Sequence, residues 1–199
     1  MNPREALHDI WTMGGMPNEA LPHAVLTGGD PVLPSSFAVG TAAQSTVAAA
    51  ALAACEFGYV RGQARQDVNV DMQHAALECS GWFSLDGRVP EPWDKFSGLY
   101  RCADGWVRIH ANFAHQRDVA LRLLGLDPQT AQRADAARAM LSWKALDFEQ
   151  AAADAKLVVA AFRSFDDWDQ HPQGQAVSAL PPMRFERIGD AQPRVLPAL

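Results

Sequence analysis

The chain has 199 residues, enough for one large domain or two small ones, and a hydrophobic content of 48% that is ample for a core. Its net charge of −6, with 17 Lys and Arg scattered along it, argues against nucleic acid as a partner and leaves no sequence cluster of cations for an anionic ligand. Cys55, Cys79 and Cys102 stand apart without a CxxC spacing, no apolar run would span a bilayer, and the Met-Asn-Pro-Arg-Glu start lacks a secretion signal. Together these predict a cytoplasmic protein with buried, reduced thiols, no membrane segment and no metal.

In chain order, Arg4 to Met13 carries Ala6, Leu7, Ile10 and Trp11 on a helical stripe that Gly14-Gly15 stops. Pro17 and Pro22 mark a loose connection. Gly28 to Pro34 is a turn-rich lead-in, and from Ser36 to about Arg61 an alanine-rich run predicts one long helix, with Ser35 or Ser36 as its cap. Between Val47 and Phe57 that helix is apolar on nearly every side. The run is about half the ~18–20 residues of a membrane span, so it predicts a buried helix of a globular core. After the polar break Gly62 to Gln66, the alternation of Val68, Val70 and Met72 predicts a short strand, and Gln73 to Glu78 a helix.

From Gly81 to Asp94 the pattern is a loop, with Trp82, Phe83, an Asp86-Gly87 turn, and Trp93 and Phe96 placed to seal a core edge. Gly98 to Ala111 is the clearest hairpin: Ala103-Asp104-Gly105 is expected to supply a positive φ angle at the turn. Trp106, Arg108 and His110 should share one face, and Val107 and Ile109 the other. His110, without a carboxylate in view, reads as structural. Ala114 to Leu124 is an amphipathic helix ended by Gly125. Asp127-Pro128 should open a helix running to Met140, and another covers Ala145 to Ala155. Leu157 to Phe162 reads as a buried strand. Ser164 caps the turn Phe165 to Asp169, whose Asp166 and Asp167 suit a helix N-terminus better than a metal. His171 to Gly174 breaks the chain, Met183 to Ile188 is a strand candidate, and Ala191 to Leu199, with Pro193 and Pro197, reads as a linker to a further domain. The expected organisation is a helical segment 1–80, a small α+β domain 81–190 and a tail 191–199, an α+β fold overall.

No nucleophile elbow, phosphate loop or zinc spacing is present; Gly28-Gly29-Asp30 is too short for a nucleotide fingerprint. Three stretches in a fixed order nevertheless resemble the class III CoA-transferases of the CaiB/BaiF type. They are the Ala-rich helix leading to Gly62-Gln63 and Val68-Asn69-Val70-Asp71-Met72-Gln73-His74-Ala75; then Gly98-Leu99-Tyr100, Asp104-Gly105-Trp106-Val107 and Leu123-Leu124-Gly125; then Val158 to Phe162 with His171-Pro172-Gln173. The resemblance implies two intertwined chains, each with a Rossmann-like (α/β) large domain and a small α+β domain. It implies transfer of coenzyme A from an acyl-CoA to a carboxylic acid, with an Asp nucleophile that attacks the thioester. Two departures stand out. The opening strand, helix and AGP-type motif of the family are not matched, and the nucleophile's position, counted back from Gly40, is Ser36. A neutral hydroxyl cannot form the carboxylic anhydride; Asp30 and His74 are the remaining candidates. The expectation is the later half of a CoA-transferase copy, inert alone, that completes a complementary half or a homo-oligomer. The alternatives are an active transferase that uses an unassigned nucleophile and a binding module on the same fold.

Overall fold

The computed structural model describes residues 1–81, 83–192 and 194–197. Trp82, Pro193 and the last two residues of the expected linker lie outside the described residues. The chain divides into two compact units, Met1–Gly87 with Pro181–Leu199, and Arg88–Leu180.

The first unit is built on α2 (Val39–Val60), preceded by α1 (Pro3–Met13), a short 3₁₀ turn (Asn18–His23) and β1 (Ala24–Thr27), and followed by β2 (Val68–Asp71) and α3 (Met72–Ser80). β1 and β2 pair in parallel, Ala24 with Val68 through Thr27 with Asp71. A parallel pair requires a crossover, and α2 supplies it. The alanines of α2 let neighbours approach closely: α1, α3, β1 and β2 all pack on it, and its Ala43, Ala48, Ala49 and Leu52 meet Leu7, Trp11, Val68 and Val70 in one core. α1 starts with a capping box between Asn2 and Glu5.

Two polar residues in this helix are buried for identifiable reasons. Gln44 donates through Nε2 to the carbonyls of Thr27 at 2.7 Å and Val70 at 2.8 Å, so it ties both strand ends to α2. The Glu56 side chain, 5% exposed, accepts from Arg65 Nε at 2.8 Å and Nη2 at 3.1 Å, which keeps a buried charge paired. That bond holds the Arg65 pKa above its ordinary value, and the guanidinium also lies 4.1 Å over the Tyr59 ring.

The second unit holds β3 (Gly98–Arg101), β4 (Trp106–His110), α4 (Ala114–Leu123), α5 (Arg133–Met140), α6 (Ala145–Asp154), β5 (Val158–Ala161), α7 (Phe165–Gln170) and α8 (Pro172–Ser178). Its sheet is antiparallel in the order β3-β4-β5. One face packs into a core of Phe96, Tyr100, Val107, Ile109, Leu121, Met140 and Phe148. Arg133 clamps the entry to β3: its Nη1 donates to the carbonyls of Lys95 at 2.9 Å and Ser97 at 2.8 Å, and its guanidinium lies over the Tyr100 ring at 4.7 Å.

The fold is α+β, with several local corrections. β1 was not expected; it lies in the connection read as loose. Met72 is the first residue of α3 rather than the end of a strand, because Asp71 caps the helix there. The hairpin turn has no residue at positive φ, whereas Asp86 and Gly87 do, at 50° and 75°. Asp104 instead accepts from the Ala145 amide at 2.8 Å and so anchors α6. Asp127 organises only a turn, and α5 begins at Arg133 behind a Gln132–Asp135 capping box. His171 caps α8 instead of ending helical structure. Residues 183–188 form no strand. β5 is half exposed, since Val158 faces out, and Trp93 also faces solvent while Phe96 is buried. Of the thiols only Cys102 is buried; Cys55 is half-buried and Cys79 exposed, and all three are free. Burial, reinforced by Asp104, pushes the Cys102 thiol pKa up, which leaves it unreactive.

Candidate functional site

The C-terminal ends of β1 and β2 and the N-termini of α2 and α3 converge on one side of the first unit. In parallel α/β structures ligands bind beyond the carboxyl ends of the strands. Here Thr27 and Asp71 are register partners, and Thr27 Oγ1 donates to Asp71 Oδ2 at 3.1 Å. Asp71 Oδ1 accepts from the amides of Gln73 at 3.0 Å and His74 at 3.2 Å. These bonds, the His74 amide first and the Thr27 hydroxyl next, lower the Asp71 pKa.

The start of α2 is capped from a distance. Ala38 occupies the cap position and offers no side-chain bond. The carboxylate of Asp30 takes that role instead: Oδ2 accepts from the Thr41 amide at 3.1 Å and from Thr41 Oγ1 at 2.6 Å. Gly40 makes the approach possible. A Cβ there would collide with Asp30 Oδ1 and would lie 2.7 Å from Met72 Sδ and 2.8 Å from Val32 Cγ2. Neither Ser35 nor Ser36 caps α2. Ser35 Oγ accepts from the Phe37 amide at 3.0 Å, and Ser36 is exposed.

Three sequence-predicted residues are thereby placed. Asp30 lines a cavity of about 410 Å³ with Gly28, Gly29, Ala38, Thr41 and Met72. Ser36 is in the exposed lead-in to α2 and is not among the lining residues. His74 is exposed on the first turns of α3, joined to the site through its backbone amide and Asp71. A larger groove of about 800 Å³ between α1 and α2 presents mostly apolar surface, from groups such as Ala6, Ile10 and Ala42, with His8, Asp9 and Thr41 also in its lining. Among the described residues no group of three His, Cys, Asp or Glu could hold a metal ion, and no helix is long and apolar enough to cross a membrane. Sequence reasoning missed Thr41 and Asp71. Asp71 in front of a helical stretch was a readable cap signal; the Asp30–Thr41 bond was not, since it skips the whole lead-in.

No protein-family model matches the chain, and no curated protein does. Among solved structures, it is similar to a hypothetical protein of Mycobacterium tuberculosis, Rv3272, with a TM-score of 0.64 and 19% identity over 89% of this chain and 68% of that one. An orthorhombic form of Rv3272 gives 0.58 and 17%, over 89% and 51%. A CaiB/BaiF family protein from Brucella suis gives 0.51 and 15%, over 80% and 52%. The resemblance is one of fold. This chain spans between about half and two thirds of the neighbours' lengths.

Proposed function

We propose that this chain is a CaiB/BaiF-type CoA-transferase domain that performs no transfer by itself and completes a complementary half, or a second copy, which carries the nucleophile. The observation behind this reading is the occupancy at the start of α2. The residue four before Gly40 is Ser36, and the carboxylate nearest in sequence, Asp30, has one oxygen held by two donors of Thr41 as a helix cap. A carboxylate so held is a weaker nucleophile toward an acyl-CoA thioester.

Two further features support incompleteness. A two-stranded parallel sheet is small for its class, which normally has both faces covered and further strands beside it; each of β1 and β2 keeps one unpaired edge among the described residues. The cavity at Asp30 is lined by no Lys or Arg side chain, so the cavity itself supplies no counter-charge for the phosphates of coenzyme A. Three unbridged thiols fit a reducing, cytoplasmic setting.

The test is incubation of the purified chain with acyl-CoA and hydroxylamine. No thioester exchange and no hydroxamate on the chain is the expected result, with exchange restored by a complementary half. One observation favours a second reading: the Asp30 side chain is accessible, in a cavity and at a helix N-terminus. If the chain alone forms a hydroxamate and Asp30→Asn abolishes it, Asp30 is the nucleophile and the inert-partner reading fails.

A further inference from the structure

The outward face of the β3-β4-β5 sheet carries a second constellation, independent of the α2 site and of the role proposed for it. The pleat sends alternate residues to opposite faces. Tyr100, Val107, Ile109 and Ala161 go inward; Arg101, Trp106 and Arg108 go outward. Register then brings distant residues together. Trp106 sits directly opposite Arg101. The Phe162 amide donates to the Trp106 carbonyl at 2.8 Å, so Arg101, Trp106 and Phe162 form one row across the strands. Arg108, two residues along β4, is the diagonal neighbour of Arg101, a separation of roughly 7–8 Å and somewhat less between Cβ atoms.

This face is open and its charge is unbalanced. Trp106 is 47% exposed and Phe162 58%. The Arg108 guanidinium is stacked 5.2 Å from the Trp93 ring, which His110 braces edge-on at 5.6 Å. Elsewhere in the unit, Arg117 pairs with Asp94 and Asp118, and Arg163 with Glu149. Among the described residues Arg101 and Arg108 have no carboxylate partner, and no outward strand position is acidic.

We propose that this face binds a nucleoside diphosphate, its base stacked on Trp106 and its phosphates held by Arg101 and Arg108. The guanidinium fork matches phosphate oxygens bidentately, and Trp93 already orients one of the two forks. An exposed indole flanked by cations selects a flat π-system that bears negative charge over a simple anion. A long nucleic acid is a poorer occupant, because it draws affinity from many phosphate contacts and this chain carries a net charge of −6.

The test is calorimetric titration of the full chain with ADP at low ionic strength, alongside adenosine and pyrophosphate. ADP should bind more tightly than either fragment. Arg101→Gln and Arg108→Gln should each weaken it at least five-fold and flatten its salt dependence. Trp106→Ala should weaken it roughly ten-fold, while Trp106→Phe, which keeps a ring, should retain most of the affinity and also guards against a folding defect. Absence of ADP binding at millimolar concentration would overturn the proposal and leave the face to a protein partner. So would affinity unchanged by both arginine variants, or pyrophosphate binding equal to ADP with Trp106→Ala silent.

Discussion

In the second unit, each strand of the sheet has an antiparallel neighbour on one side or both, and one face is sealed by helices around Phe148 and Val107, both with no exposed surface. In the first unit, two parallel strands meet along one edge, and the helix that joins them leaves Val47, Phe57 and Val60 in solvent. The contrast follows from connection geometry. An antiparallel hairpin closes over a short turn, so a core assembles from sequence neighbours. A parallel pair needs a long crossover, and here that crossover is a helix apolar nearly all round, with more surface than the two strands, α1 and α3 cover. Both units therefore keep apolar side chains in solvent, the second on the outer face of its sheet, Trp106 and Phe162 among them, and the first on the crossover helix itself.

The largest effects should come from the two cores and should separate. Phe148→Ala should cost about 3–5 kcal/mol and Leu52→Ala about 2–5 kcal/mol. Calorimetry should show Phe148→Ala lowering a transition that Leu52→Ala leaves in place, and the reverse. A single transition moved equally by both would break the comparison. If the proposed complementary half docks on the exposed side of α2, it should raise the first unit's transition.

Next comes the polar tie inside the first unit. Gln44→Leu removes the donor from two carbonyls, Thr27 and Val70, and an orphaned buried group costs about 1–3 kcal/mol. A loss of about 2 kcal/mol or more by urea titration is expected. A neutral result would mean that water reaches those carbonyls. Smaller again is the distant cap: Asp30→Ala should cost about 1 kcal/mol through the first turn of α2. Gly40→Ala should destabilise as well, because its new methyl would meet Asp30, Met72 and Val32.

What was legible in the sequence tracks how locally each feature is determined. The alanine run, the Leu123-Leu124-Gly125 helix end, and Ser164 as a cap are settled within a few residues; in the last, Ser164 Oγ accepts from the Asp167 amide at 3.1 Å. The hairpin's alternation placed Val107 and Ile109 inward and Trp106 and Arg108 outward, as the burial shows. Illegible were the features joined across sequence: Asp30 on Thr41, Thr27 on Asp71, Arg133 on the carbonyls before β3, and the pairing that sets Arg101 beside Arg108. No cation cluster existed in the linear chain, yet the register created one. Ser36 as a cap failed for a related reason: a local cap gave way to a carboxylate delivered by the turn after β1.

The smallest expected effect is a pH dependence that the two units should share in sign but not in residue. Glu149 accepts from Arg163 and from the Ala161 amide, bonds that lower its pKa, the arginine first. The Ser164 hydroxyl and amide lower that of Asp167, and in the first unit the His74 amide and Thr27 lower that of Asp71. A carboxyl with a depressed folded-state pKa binds fewer protons folded than unfolded, so it stabilises the fold above the unfolded value near ~4 and loses that contribution as pH falls through the folded value. Arg163, raised in turn by Glu149, stays protonated throughout this window and adds no slope. Glu149→Gln should therefore flatten the acid limb of the second unit's melting profile below about pH 5, and Asp71→Asn that of the first. A profile steepened by either variant, or shifted equally in both transitions by one, would contradict the bonding that separates the two units.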